Sequence, residues 1–397
     1  MSKPLKDIRV LDLTNVLAGP FCCHHLVHLG AEVIKVEARE RGDLARQLGA
    51  DPTLNAANMG VSFLAQNAGK KSVTLDLKKP DGKALFQRLV GSADVLVENF
   101  RPGVMDRLGL GYEVLKAVRP ELIYCAISGF GQDGPWKDRP AYDQIIQGAS
   151  GVMSITGDAD SAPLRVGYPV ADTFGGMNAA FAVAAALNAR PRGCFIDVSM
   201  LESVLVSMGW VVSNHLIAGV APQANGNENM TSAPSGTFRA ADSMINIAAN
   251  KDEQWAALTG HLGLEALREH PDYATREARK VNRVALRGAL EVVLMTKPAA
   301  HWVEALNAIG VPTGAVLSVP EALATPQVAE RGFLQTYADV AGVGRDIAVA
   351  TTGVKIDGAA PTVADPPPEL GADNDAVWGD LGLSEAEIAR LKEDEVI

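Results

Sequence analysis

Residues 71–103 read KSVTLDLKKPDGKALFQRLVGSADVLVENFRPG. The stretch opens on a β-prone run, KSVTLDL (71–77), and nearly closes on another, VLVENF (95–100). Between them PDGKALFQRLVGSA (80–93) has the length of a helix. Strand, helix and strand in that order describe a βαβ unit with parallel strands. The same alternation extends in both directions. IRVLDL (8–13), AEVIKVE (31–37), LIYCAISGF (122–130) and CFIDVSML (194–201) are further strand-like runs, and VMDRLGLGYEVLKAVRP (104–120) is another helical one. The pattern predicts an α/β fold with a mostly parallel sheet over residues 1–205.

A chain of 397 residues is too long for one ordinary core and long enough for two or three. ESVLVSMGWVVSNHLIAGV (202–220) reads as one long apolar helix, and APQANGNENMTSAPSGT (221–237) as a Gly/Asn-rich connection. We expect a linker over 206–230. A smaller α+β domain is expected over 231–325, with strands MINIAA and TGAVLS and helices around DEQWAALTGHLG and HWVEALNAIG. Residues 326–397 are expected to form a linker and a C-terminal segment that returns to the large domain. That segment holds the Pro-rich APTVADPPPELG and a terminal helix marked by Ser384 and Glu387 at capping-box spacing.

Lys and Arg number 36 and Asp and Glu 47, giving a formal net charge of −11. So acidic a chain is poorly suited to binding DNA or an anionic membrane without sequence preference, and phosphate binding must rest on a few placed cations. No apolar run reaches the ~20 residues of a spanning helix, and MSKPLKDIRVLDLT lacks the apolar region of a signal peptide. We therefore expect a cytoplasmic protein that binds neither nucleic acid nor membrane. Four cysteines in a chain of this length do not suggest a disulfide framework.

A parallel sheet invites a dinucleotide reading, but the first strand–helix turn, LDLTNVLAGPFCCHHL, has Gly19 followed by Pro20 where a G-x-G-x-x-G fingerprint would stand. G-x-x-x-x-G-K-[ST] and G-x-S-x-G are also missing, which weighs against a P-loop NTPase and an α/β-hydrolase. His24 and His28 in CCHHLVH have the i,i+4 spacing of a metal pair, yet no acid or cysteine follows at ligand spacing. The plainer reading, an interface or surface helix between the first two strands, is preferred and no metal is expected. In VLVENFRPG, Asn99 and Arg101 fall just past a buried strand, where open parallel sheets bind ligands. In GYPVADTFGGMNAAFAVAAALNAR (167–190), Asp172 stands before an Ala-rich helical run. An aspartate in such a place is most often a helix cap. Gly175 rather than Glu or Gln stands at capping-box spacing, however, and Gly175–Gly176 allow close approach to the backbone. A partly desolvated carboxylate among small apolar residues can also serve as a nucleophile.

Taken in order, VLDLTNVLAGP, GAEVIKVE, NAGKKSVTLDLK, DVLVENFRPG, RPAYD, GYPVADTFGG and the LGLSEAEIARLKEDEVI tail resemble the family III CoA-transferases, whose relatives include the α-methylacyl-CoA racemases. The resemblance spans nearly the whole chain. It implies a large Rossmann-like domain, a smaller domain and two chains interlocked as rings in a homodimer. It implies transfer of CoA from an acyl-CoA, with succinyl-CoA or another dicarboxylyl-CoA the leading class, to a small carboxylic acid. CoA and its esters are then substrates, and no tightly bound cofactor is expected.

By that resemblance Asp172 is the nucleophile, passing through an aspartyl anhydride and an aspartyl-CoA thioester. The oxyanion donors would be backbone N–H groups near Gly175–Gly176 or near Val16–Leu17–Ala18. The CoA contacts fall on Val16, Leu17, Ala18, Leu75, Lys78, Asn99, Phe100, Arg101 and Arg107, and RPAYD adds Arg139 and Tyr142. A family arginine after KVE is Ala38 here, leaving its role to Arg39 or Arg41. Leu17 stands where formyl-CoA transferases carry glutamine, which argues against a formyl or oxalyl substrate. Racemases place a histidine where this chain has Tyr142, so the racemase and a non-catalytic CoA-binding relative rank as alternatives.

Overall fold

In a computed structural model, residues 3–397 are described. Six strands, β1 (Arg9–Leu13), β2 (Glu32–Glu37), β3 (Lys71–Thr74), β4 (Val95–Glu98), β5 (Ile123–Ser128) and β6 (Cys194–Ser199), form one sheet in the order β3-β2-β1-β4-β5-β6. Every pairing is parallel. The pleat sorts side chains onto two faces. Val10, Val95, Val97, Ile123, Cys125 and Ile127 join one apolar core, under the Ala18–His28 and Val170–Ala186 helices. Leu11, Leu13, Leu96, Tyr124 and Ala126 join the other, with the Pro80–Gly91 helix and the C-terminal Trp378, Leu391 and Ile397. Burial on both faces is why these strands read as near-continuous apolar runs.

The chain divides into two compact units. The first holds the chain up to Val152, then Arg165–Val220 and Pro326–Ile397; the second holds Met153–Leu164 and Ala221–Thr325. The sequence reading kept residues 153–164 with the large domain and began a linker at 206. In the structure Gly226 N–H donates to the Gly157 carbonyl at 2.7 Å, tying the early segment to the second unit. That unit carries an antiparallel sheet, β7 (Ser235–Arg239), β8 (Met244–Ala248) and β9 (Thr313–Ala315), over a core of Phe238, Ile247, Trp255, Leu290 and Trp302. A further antiparallel pair, β10 (Leu334–Tyr337) and β11 (Ile347–Ala350), lies in the first unit.

Two long helical readings are broken. Residues 202–220 fold as Met200–Ser207 and Trp210–Ala218, bent by 80° at a break that includes Gly209 with φ 45°. Residues 104–120 fold as Val104–Arg107 and Tyr112–Val118, split where Gly109 takes φ 73°. No single helix among the described residues is long and apolar enough to cross a membrane. The C-terminal segment finishes the open edge of the sheet: Ser72 N–H donates to Asp373 Oδ2 at 2.8 Å and Thr74 N–H to Asn374 Oδ1 at 2.9 Å. Edge N–H groups that would otherwise invite another strand are thereby occupied. Ser384 and Glu387 form the expected capping box on Glu385–Glu393.

Candidate active site

The strand order reverses between β1 and β4, and such a switch point opens a crevice beyond the strands' carboxyl ends. The loops that follow these two strands meet there. Asn15 N–H donates to Asn99 Oδ1, and Asn99 Nδ2 donates back to the Asn15 carbonyl, both at 2.8 Å. Asn99 therefore does structural work at the joint between the loops.

Val16 follows in the left-handed region, with φ 67°, a conformation costly for a β-branched residue. Its N–H donates to Asp43 Oδ1 at 2.8 Å, which also accepts from Ala45 N–H at 2.9 Å. The other Asp43 oxygen lies 2.9 Å from Lys35 Nζ. Lys35 also donates to the Thr14 carbonyl at 2.8 Å, while Lys70 Nζ lies 2.8 Å from Asp12. All four charged side chains are buried. Burial alone would raise the Asp12 carboxyl, but Lys35 and Lys70 overcome it and hold that group well below the carboxylate range. Three buried ion pairs, with Lys35 lying 3.6 Å from Asp12 as well, thus brace the loop that enters the Ala18–His28 helix.

Asp172 occupies the first turn of the Val170–Ala186 helix, but it does not cap it. The N-cap position is Pro169, with no side-chain cap. The Ala171 N–H is taken instead by Asp143 Oδ1 at 2.9 Å, from the preceding helix, Asp143–Ala149. Asp143 Oδ2 accepts from Gln147 Nε2 at 2.7 Å and Arg165 at 3.2 Å. Partial burial, reinforced by the negative charge of Asp143, pushes the Asp172 carboxyl up to about 7. The helix packs through Ala171, Gly175, Ala179 and Val183, an i,i+4 stripe. At Gly176 a Cβ would stand 2.4 Å from the Ala18 carbonyl oxygen, and at Gly175 2.9 Å from Met200 Cγ. The glycines let one helix seat against the other. As interior residues of a helix they direct their N–H groups to Ala171 and Asp172 carbonyls. This removes Gly175–Gly176 from the oxyanion candidates.

Two adjoining cavities, sharing Asn15 and Phe100, follow the carboxyl edge of the sheet. The larger, about 550 Å³, is lined from the loops after β1 to β4 and gathers Arg39, Arg41, Leu75, Lys78 and Phe100. The other, about 330 Å³, gathers Asp172 with Val16, Leu17, Asn99, Phe100, Arg101, Arg139 and Tyr142. Ala18 and Arg107 line neither. Ala18 is buried at the start of its helix, and Arg107 is exposed at the end of Val104–Arg107. Sequence reasoning missed Ser128, Lys137 and Met200 in the Asp172 cavity, Asp43 in the larger one, and Asp143 beside Asp172. Lys137 and Asp143 had a local signal, flanking Arg139 and Tyr142 in WKDRPAYD.

The His24/His28 pair lies elsewhere. Of the interface or surface helix expected there, the surface alternative fails: both side chains are 3% exposed, and His28 Nδ1 is 3.0 Å from the Pro361 carbonyl. Desolvation holds both imidazoles below their ordinary range. Among the described residues no group of three or more His, Cys, Asp or Glu is arranged to hold a metal.

The family model described as CoA-transferase family III matches residues 5–374. An acetyl-CoA:oxalate CoA-transferase of Acetobacter aceti is 42% identical over 335 residues, covering 83% of this chain and 85% of its own length. A succinate–glutarate CoA-transferase of Agrobacterium fabrum is 39% identical over 337 residues, 83% of this chain and 84% of its own. The crystal structure of a CAIB/BAIF family protein from Brucella suis superposes with a TM-score of 0.82 at 34% identity, covering 96% of this chain and all of that one. A match of this extent, on a chain whose parallel sheet opens a charged crevice beside an uncapped aspartate, places this protein in CoA-transferase family III.

Proposed function

We propose that this CoA-transferase uses Asp172 as its nucleophile and moves CoA between succinyl-CoA, or another dicarboxylyl-CoA, and a small carboxylic acid. The observation that carries the reading is an aspartate in a helix's first turn that is relieved of capping by Asp143, opens on a cavity and is raised to about 7. A carboxyl group in that state is about half ionised at pH 7, and its ionised form is poorly solvated, which suits nucleophilic attack.

In this reading an Asp172 oxygen attacks the thioester carbonyl. The C–S bond breaks, the CoA thiolate leaves with its electron pair and a mixed anhydride forms. The thiolate attacks the Asp172 carbonyl carbon, releasing the donor carboxylate and leaving an aspartyl-CoA thioester. The acceptor carboxylate attacks that thioester, again expelling thiolate and forming a second anhydride. Thiolate attack on the acceptor's acyl carbon frees Asp172 and yields the new acyl-CoA. No net proton or water is consumed. Each attack places charge on a carbonyl oxygen. Leu17, at the N-cap of the Ala18–His28 helix, lines the cavity, and its backbone N–H is the oxyanion donor in this reading. Arg39, Arg41 and Lys78 suit the phosphates of CoA in the adjoining cavity. The resemblance supports an interlocked homodimer, which sedimentation would test.

Neutral hydroxylamine added after succinyl-CoA tests the nucleophile. A hydroxamate on Asp172 in the peptide map supports the reading. CoA-ester turnover with an unmodified Asp172 refutes it.

A further inference from the structure

We propose that Arg139 is the specificity residue for the second carboxylate of a short diacid, rather than a contact for CoA. The inference rests on reading the Asp172 cavity as the site of acyl transfer. That cavity has one acid in its lining, Asp172, and three cations, Arg101, Lys137 and Arg139. None of the three has an ion-pair partner among the described residues. The phosphates of CoA have cations of their own in the adjoining cavity, which Arg139 does not reach. Arg101 follows Phe100, which lines both cavities, and so sits toward the joint between them.

Arg139 is also held in place. Its guanidinium carbon stands 4.4 Å from the Trp136 ring centroid, and its backbone N–H donates to the Trp136 carbonyl at 2.9 Å, which fixes the turn that carries both side chains. Trp136 meets Phe130 edge-on, with centroids 5.5 Å apart. A stacked guanidinium keeps its planar fork free for one bidentate partner, and a carboxylate matches that fork. With Asp172 bound to one end of the substrate, a cation elsewhere in the same cavity meets the other end. A volume of about 330 Å³ lies at the small end for ligand sites and suits a short diacid better than a long acyl chain.

The test compares wild type, Arg139→Gln and Arg139→Lys with glutarate and valerate, acids of equal chain length with and without the second carboxylate. The dissociation constant for free CoA is measured alongside. The ratio of kcat/KM for glutarate to that for valerate is expected to fall ten- to a hundredfold in Arg139→Gln, and less in Arg139→Lys, with CoA affinity changed less than threefold. An unchanged ratio overturns the proposal, whether CoA affinity falls, which makes Arg139 a CoA contact, or holds. Calorimetric binding of glutarate to the CoA-loaded protein reads the same contact without turnover. A loss of glutarate affinity in Arg139→Gln supports the proposal even where hydroxylamine trapping has refuted Asp172 as nucleophile, and equal affinity overturns it.

Discussion

Asp43 touches neither Asp172 nor the strand order, yet its removal should weaken CoA binding. Val16 sits at φ 67° and lines the cavity, and its N–H is held by Asp43 at 2.8 Å. Left-handed backbone costs an L-residue about 1–2 kcal/mol. A hydrogen bond to a charged group returns about 1.5–3 kcal/mol, so the anchor outweighs the strain. In Asp43→Ala the balance reverses and the loop relaxes to negative φ. Recovering the bound conformation then costs about 1–2 kcal/mol, or about 5- to 30-fold in the CoA dissociation constant. Titration calorimetry of wild type, Asp43→Ala, Val16→Gly and the double variant measures it. Glycine enters the left-handed region freely, so removing Asp43 should cost less affinity in the Val16→Gly background. Asp43→Asn keeps the acceptor oxygen and should keep affinity, while losing stability because Lys35 forfeits its 2.9 Å partner. An equal loss in both backgrounds, or no loss in either, would refute the reasoning.

Asp172 sets a pH dependence of definite sign. Its folded value of about 7 lies above the ordinary 3.8, so between those values the folded chain holds a proton the unfolded chain has released. Stability falls as pH rises through that window, and Asp172→Asn should stabilise the protein at pH 8 by on the order of 3 kcal/mol, after allowance for partial exposure, and not at all below pH 4. Urea unfolding at the two pH values checks this. In wild type, kcat/KM should rise with pH to a plateau with an apparent midpoint near 7. Asp143→Asn, which removes the nearby charge, should move that midpoint down. Gly176→Ala puts a Cβ within 2.4 Å of the Ala18 carbonyl and should cost about 1–3 kcal/mol in thermal unfolding. Asp373→Ala leaves the Ser72 N–H at the sheet edge unpaired and should cost about 1–3 kcal/mol in the same assay.

The parallel sheet was legible because strands buried on both faces write themselves as apolar runs, and KSVTLDL, VLVENF and LIYCAISGF all did. Where strand ends met loops, the reading overran. β4 stops at Glu98, and Asn99 and Phe100 turn into the crevice. Apolar periodicity also could not reveal the helix breaks at Gly109 and Gly209, because a left-handed glycine interrupts a helix without changing which neighbours are buried. The CCHHLVH segment reads as an interface or surface helix because no acid or cysteine follows at ligand spacing. In the structure the sheet lies on one side of it and the Val170–Ala186 helix on another, so even its imidazoles are buried.

The choice at Asp172 between cap and nucleophile was undecidable from its own neighbourhood, and the reason is physical. A helix start needs its first N–H groups satisfied, and any nearby acid can do it. Reading the 167–190 stretch alone, Asp172 is the one acid available. The tertiary fold brings a second, Asp143, to the Ala171 N–H from 28 residues upstream. One carboxylate satisfies the backbone, with Arg165 and Gln147 holding it; the other faces a cavity and is raised by its burial and, further, by the charge of the first. In the proposed reading the two acids thus divide capping from chemistry. Placing the charge-neutral asparagine at 143 retains an acceptor for Ala171 and removes the charge that adds to the effect of burial at Asp172. Placing it at 172 retains the helix and, in the proposed reading, removes the nucleophile.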